Sequence, residues 1–338
     1  MRSSRTCVVV AAALGAVLVS GPAAPAAEGD EAGGFTLKDP RIKESSGLAA
    51  SRAHPGVYWT NNDQDGPYVY AVDSRSGETV ARITMRGVGT PRDMEAISVG
   101  PDGNVYVGDI GDNLGGTWDH VWIYTFPEPK ELKDQSVRTT QYDVKYEGGA
   151  RNAEALMVHP GTGRVYIGSK QEEGAGLYEG PARLTTGRTN LFRKIHDISW
   201  VTDGAFSPDG RQLVLRSYLS AESYSWPEMK EREAPEIGYQ GQSESVTFTP
   251  DGRTMLFGAE GEQSRVTARP VAGAPEGGGE AADGGSPGAS TGPGGGAAGS
   301  PSGGAGASDD SGLTGKGVLV LGVVGVLAVA WFGLRKKR

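Results

Sequence analysis

Cysteine is nearly absent. The 338 residues contain one, Cys7, inside an N-terminal apolar stretch. Everything downstream of it is therefore without disulfides, thiolate metal sites or cysteine nucleophiles. Histidine is scarce as well, with His54, His120, His159 and His196 as the four copies. No H-E-x-x-H pair, G-x-S-x-G elbow or Walker loop accompanies them, which removes the common zinc-hydrolase, serine-hydrolase and nucleotide-binding signatures. Positive charge is in deficit: 33 Lys and Arg stand against 41 Asp and Glu, for a net charge of −8. The one block of basic residues is Arg335, Lys336, Lys337 and Arg338, so the sequence excludes a nucleic-acid-binding surface. Helix-length periodic segments are few between the two ends of the chain.

The ends themselves predict an address. Arg2 and Arg5, an apolar core over residues 7–19 and the small residues Ala24-Pro25-Ala26 have the layout of a secretory signal cleaved after Ala26. A first membrane anchor fits less well, because the apolar run is short and ends in Gly, Pro and Ala. Residues 317–334 are uncharged and just long enough to cross about 30 Å of hydrocarbon at about 1.5 Å per residue. Trp331 lies near the basic flank that follows. Basic residues stay on the cytoplasmic side, so the reading is a single-pass protein with its N-terminal domain outside. Residues 273–316 are rich in Gly, Ala, Ser and Pro and read as a disordered tether. This layout resembles proteins attached to the cell wall by sortases. The L-P-x-T-G pentad is missing, however, and only Gly312-Leu313-Thr314-Gly315 stands in its place. Retention by the helix itself is therefore expected.

Between the ends, residues 33–271 carry internal repeats. MEAISVGPDGNVYVGDIGDN from Met94, AEALMVHPGTGRVYIGSKQEE from Ala153, TDGAFSPDGRQLVLRSY from Thr202 and SESVTFTPDGRTMLFGAEGE from Ser243 share one pattern. Each has a small or acidic start, an alternating strand, a turn and a second alternating strand. SSGLAASRAHPGVYWTNNDQDG from Ser45 is the same unit with a longer turn, and the copies start about 40 to 59 residues apart. Pro101-Asp102-Gly103, Pro208-Asp209-Gly210 and Pro250-Asp251-Gly252 have hairpin chemistry, since Pro fixes φ and Gly accepts a positive φ. Third strands are expected at residues 121–124, 176–178 and 223–226, and fourth strands at residues 139–146 and 190–195. Three to four strands per repeat predict an all-β fold, a β-propeller of five blades, or of six if Phe35-Thr36-Leu37 and neighbours complete another. A single β-sandwich explains the strand spacing but not the recurring register of acid, turn and strand.

If each first strand is innermost, the residues that open it point to one mouth: Ser46, Glu95, Glu154, Asp203 and Glu244. The antiparallel second strand returns to that mouth, bringing Asn61, Asn62, Asp63, Asp109, Asp112, Asn113, Glu172, Glu173, Glu260 and Glu262. Carboxylates gathered so closely cannot all ionise without positive charge among them. Three readings stay open: internal cations from Arg92, Arg151, Lys170 and Arg216, a Ca²⁺ ion held by oxygen ligands, or a catalytic carboxylate pair. His120 and His196 fall on the acidic face, and His54 and His159 on the opposite one.

The segments ESSGLAAS, YWTNNDQDG, DMEAISVGPDG, VYVGDIGDN and RNAEALMVHP resemble secreted bacterial propellers of the phytase-like and esterase-like group, over about residues 40 to 270. That resemblance implies calcium in the acidic mouth, with Glu95, Glu154, Asp109 and Asp112 as ligands and Arg92, Arg151 and Lys170 facing an anion. Glu244 joins the ligand set by its ring position, and His120 joins the ligand-facing set by its loop. Two functions follow as expectations. One is a membrane-tethered, calcium-bearing binding module for a surface ligand or protein partner. The other is a calcium-dependent hydrolase of phosphate or carboxylic esters. A monomer is expected.

Overall fold

Short runs of Val, Ile, Tyr and Thr, broken by Gly-containing turns, fold here as strands throughout. The computed structural model describes residues 33–273 apart from Tyr239, and within them every helix or strand is a strand. Among the described residues no helix is long and apolar enough to cross a membrane. The expected signal segment, tether, membrane span and basic tail lie outside the described residues.

The chain opens with β1 (Phe35–Thr36). The first repeat follows as β2 (Ser45–Ala50), β3 (Val57–Asn62), β4 (Tyr68–Asp73) and β5 (Thr79–Arg86). The second holds β6 (Met94–Val99), β7 (Asn104–Asp109), β8 (Val121–Pro127), β9 (Gln135–Arg138) and β10 (Thr140–Tyr146). The third is β11 (Ala153–Val158), β12 (Val165–Ser169), β13 (Gly176–Glu179) and β14 (Asn190–Asp197). The fourth is β15 (Asp203–Phe206), β16 (Gln212–Arg216), β17 (Ala221–Ser225) and β18 (Glu231–Arg232). The last is β19 (Ser243–Phe248), β20 (Thr254–Ala259) and β21 (Arg265–Pro270).

Each repeat pairs its strands antiparallel in chain order, and three exchanges tie repeats together. β9 leaves its own repeat and pairs in parallel with β5, as the outer strand of the first sheet. β10 pairs in parallel with β14, joining the second and third repeats into an eight-stranded sheet. The end strands of that sheet, β6 and β11, are also neighbours, so it nearly closes on itself. Finally, β1 pairs with β21, Phe35 opposite Val266, so the N-terminal residues extend the sheet of the last repeat.

The five first strands form a closed cycle of neighbours: β2 beside β6, β6 beside β11, β11 beside β15, β15 beside β19, and β19 beside β2. Five apolar clusters fill the spaces between consecutive repeats. Alternation along each strand decides which cluster a side chain joins. On β7, Val105 and Val107 pack with Trp59 and Ile83 of the first repeat, whereas Tyr106 packs with Leu156 and Val158 of the third. The last gap is closed by Phe35, Leu37 and Ile42 between Leu256 and Tyr58.

The hairpin turns behave as their residues predict. Gly103, Gly210 and Gly252 have φ of 73°, 71° and 70°, where a side chain would be strained. Asp102, Asp209 and Asp251 each accept a hydrogen bond from the backbone N–H two residues on. The end of the strand ring that carries these turns is called the turn end below, and the opposite one the acid end.

Candidate functional site

At the acid end the ladder register slips in four of the five repeats. Pairing passes from Ser45 to Gly47, from Met94 to Ala96, from Ala153 to Ala155 and from Ser243 to Ser245. The residues left out are Ser46, Glu95, Glu154 and Glu244. A β-bulge frees one residue from the ladder and re-aims its side chain, and three of the residues so freed are the glutamates that meet around Lys170. The fourth repeat does otherwise. Asp203 pairs in register with Arg216, and its Oδ2 accepts a 2.8 Å hydrogen bond from the backbone N–H of Val246 on the next repeat. Arg216 donates to the carbonyl of Ser245 at 2.6 Å and to Gln240 Oε1 at 2.9 Å, so this pair stitches two sheets together.

Glu95, Glu154 and Glu244 are all buried, and Lys170 enters among them from the end of β12. Its Nζ donates to Glu154 Oε1 at 2.7 Å, lies 2.6 Å from Glu154 Oε2 and donates to Tyr218 Oη at 2.6 Å. Burial works against the Lys170 ammonium, but the charges of Glu154 and Glu244 outweigh it and hold its pKa above the usual lysine range. One ammonium does not neutralise the cluster. Burial pushes Glu154 up to about 8 in spite of Lys170, and Glu244 up to about 7. Burial, with the charges of Glu154 and Asp93 behind it, drives Glu95 well above the carboxylate range. Asp63 rises to about 7 through burial and its contact with Glu44, and Glu260 to about 9 through burial and the charges of Glu244 and Asp63.

Asp93 belongs to this group although the ring positions do not include it. Burial raises it to about 6, while a hydrogen bond shared with Glu95 acts the other way. Asp93 Oδ2 accepts from Asn113 Nδ2 at 2.9 Å, but Oδ1 is buried with no hydrogen-bond partner. Asn61 is fully buried, donates to the carbonyl of Met94 at 2.6 Å, and leaves its Oδ1 unpartnered too. Gly111 makes the convergence possible. A Cβ there would stand 2.7 Å from Glu95 Oε1 and would also collide with the Asp93 carboxylate. The sequence signal for Asp93 was the spacing Asp93-Met94-Glu95, two acids on one side of an alternating strand start.

Other candidates are brought close but are engaged by the chain itself. Asp109 accepts from the backbone N–H of Arg92 and Asp93 at 3.1 and 2.9 Å and from Tyr124 Oη at 2.6 Å. Asp112 accepts from Trp118 N–H at 2.6 Å and Thr117 Oγ1 at 3.2 Å, fixing the loop between β7 and β8. Arg92 lies between the rings of Trp118 and Trp122, at 4.1 and 3.8 Å, and donates to the carbonyl of His120. Its guanidinium is thus spent on the loop. Arg151 sits over Tyr178 at 4.5 Å and donates to Gly149 O and Gln171 Oε1. His120 packs edge-on to Trp122, with Nδ1 3.5 Å from Asp119, while His196 lies on β14 opposite Leu177. At the turn end, the Nε2 atoms of His54 and His159 bond to the carbonyls of Pro129 and Gly210.

The donors at the acid end are all hard oxygens, the chemistry of calcium rather than of zinc or copper. Among the described residues no group of three or more His, Cys, Asp or Glu side chains stands arranged to hold a metal ion. Asp93 and Glu95 converge over Gly111. No protein-family model and no curated protein matches the chain.

Proposed function

We propose that this protein is a five-bladed β-propeller of the phytase-like and esterase-like kind, exported and held at the outer face of a membrane by its C-terminal residues. On this reading it works as a cell-surface binding module whose acidic mouth takes a calcium ion. The five-bladed reading is supported by the closed cycle of first strands and the five apolar clusters between consecutive repeats. Tethering is supported by the sequence of the two ends.

One observation carries the cation reading: Asp93 Oδ1 is buried with no N–H or hydroxyl donor, and the hydrogen bond that the Asp93 and Glu95 carboxyls share requires one of them to keep a proton. Burying such groups unpaired is costly, and a bound cation removes the cost. Calcium, when bound, supplies the positive charge that keeps these carboxylates ionised. Asp93 and Glu95 present the first oxygens, and Lys170 keeps the buried Glu154 oriented. Titrating the full chain in detergent with calcium at pH 8 should give saturable binding with Kd of about 10⁻⁴ to 10⁻³ M, the range of extracellular modules. Asp93→Asn should weaken it by about tenfold or more, a loss of about 1.4 kcal/mol. Absence of binding by the wild type up to about ten times that Kd range would sink the proposal.

The second reading, a calcium-dependent hydrolase of phosphate or carboxylic esters, draws on the carboxyls whose pKa values are pushed up to about 6 to 8 beside Lys170. Groups poised near neutrality suit general acid and base work. Assaying phosphomonoesters and aryl esters with wild type and Glu95→Gln separates it from the first. No turnover by the wild type leaves the binding module standing alone.

A further inference from the structure

Outside the acid cluster, the loop between β7 and β8 meets the segment between β10 and β11 around a pocket of about 380 Å³. Trp118, His120, Lys145, Tyr146 and Arg151 supply its walls. The two segments are pressed together. Gly116 has a φ of 80°, and a Cβ on it would come within 2.5 Å of the Ala150 carbonyl oxygen, so only glycine allows the approach. Trp118 is held from below by the Asp112 carboxylate on its N–H and by the Arg92 guanidinium against its ring.

The charges in this pocket are unequally paired. Lys145 is neutralised by Asp119 at 2.8 Å. Arg151 has no carboxylate within 4.0 Å among the described residues. Its Nε and Nη1 donate at 3.3 Å to neutral acceptors, and its plane is backed by Tyr178 and, at 5.8 Å, by Tyr146. Aromatic backing holds a guanidinium in place without consuming its in-plane donors. A second group also lacks a partner. Tyr146 is 6 % exposed, and its hydroxyl is buried with no hydrogen bond.

We infer that this pocket is a binding site, separate from the acid cluster, for a small ligand that bears a carboxylate on a saturated ring, the chemistry of an acidic sugar. The Arg151 donors that Gly149 and Gln171 leave free take the carboxylate, and Trp118 supplies a flat apolar face for the ring. A single positive charge next to an acid-rich end, in a chain of net charge −8, favours a monoanion over a phosphate dianion. The inference stands whether or not the acid cluster binds calcium.

The test titrates the full chain in detergent with a galacturonate trimer, a neutral galactose trimer and inorganic phosphate, by calorimetry. The galacturonate trimer should bind with Kd of about 0.1 to 1 mM, more weakly as salt is added, and the neutral trimer should not bind. Arg151→Gln should weaken binding by at least about tenfold, while Arg75→Gln, at an exposed guanidinium between β4 and β5, leaves it unchanged. Should Arg151→Gln fail to fold, Arg151→Lys keeps the charge and loses the fork, with an expected loss of at least about fivefold. Failure of the galacturonate trimer to bind, tighter binding of phosphate, or an unchanged affinity in the folded Arg151 variant would each overturn the inference.

Discussion

The two ends of the strand ring treat a carboxylate in opposite ways. At the turn end, Glu128 reaches from the link after β8 into the first repeat, and four donors meet it. Ser51 Oγ and Trp59 Nε1 bind Oε1 at 2.6 and 2.8 Å, and the N–H groups of Arg52 and Ala53 bind Oε2 at 3.2 and 3.0 Å. At the acid end, Asp93 keeps a buried oxygen with no donor, and Glu95, Glu154 and Glu244 share one ammonium. Hydrogen bonds to the charged form stabilise a carboxylate, whereas burial without them favours the proton. Glu128 is saturated by the fold. A carboxylate left short of donors is a place where something else can bind.

Removing the shared cation tests this contrast most severely. Lys170→Met leaves Glu154 and Glu244 buried without it and should cost about 3 to 5 kcal/mol in denaturant unfolding at pH 8, the loss shrinking at pH 5 where the carboxyls hold protons. Next comes the turn end. Glu128→Ala strands four donors and should cost about 2 to 3 kcal/mol, with calcium binding unaltered. A smaller and continuous effect is expected from pH. Asp93, Asp63, Glu244 and Glu154 are raised to between about 6 and 8 in the folded chain, from ordinary carboxyl values of 3.8 and 4.5. A raised carboxyl binds its proton more tightly folded than unfolded, so its contribution is full below about pH 4 and is lost as pH rises toward 8. Melting temperature without calcium should therefore fall across that window, and added calcium should restore it at pH 8. A melting curve that rises over the same range would contradict the protonated cluster. The smallest effect sharpens the comparison. Glu95→Gln replaces an acid already driven toward its neutral form and should change stability by under about 1 kcal/mol, in contrast to Glu128→Ala.

Much of the strand pattern was legible because it is local. Pro-Asp-Gly turns, period-2 alternation and the recurrence of Ser46, Glu95, Glu154, Asp203 and Glu244 at strand starts all act within a few residues. The pairing of β9 with β5, of β10 with β14 and of β1 with β21 was not legible. Each is a contact across repeats, chosen by which outer edge lies nearest once the sheets pack. Asp203 reads like the other ring acids, yet without a bulge it points to the Val246 N–H and becomes a stitch. Arg92 and Arg151 stand at the same spacing before their ring glutamates but part company. Trp118 and Trp122 enclose Arg92, whereas Arg151 keeps its edge toward a pocket.

The sequence by itself determined the repeat, the turn chemistry and the placing of acids at one end of every first strand, since strand alternation and glycine's freedom at positive φ are properties of neighbours in the chain. Tertiary structure alone decided which acids share Lys170, which are consumed by backbone donors, and which oxygens, Asp93 Oδ1 and Asn61 Oδ1 among them, are buried short of donors. Those outcomes depend on burial and on distances between segments some 16 to 48 residues apart, and desolvation is a property of the packed ring that no single repeat contains.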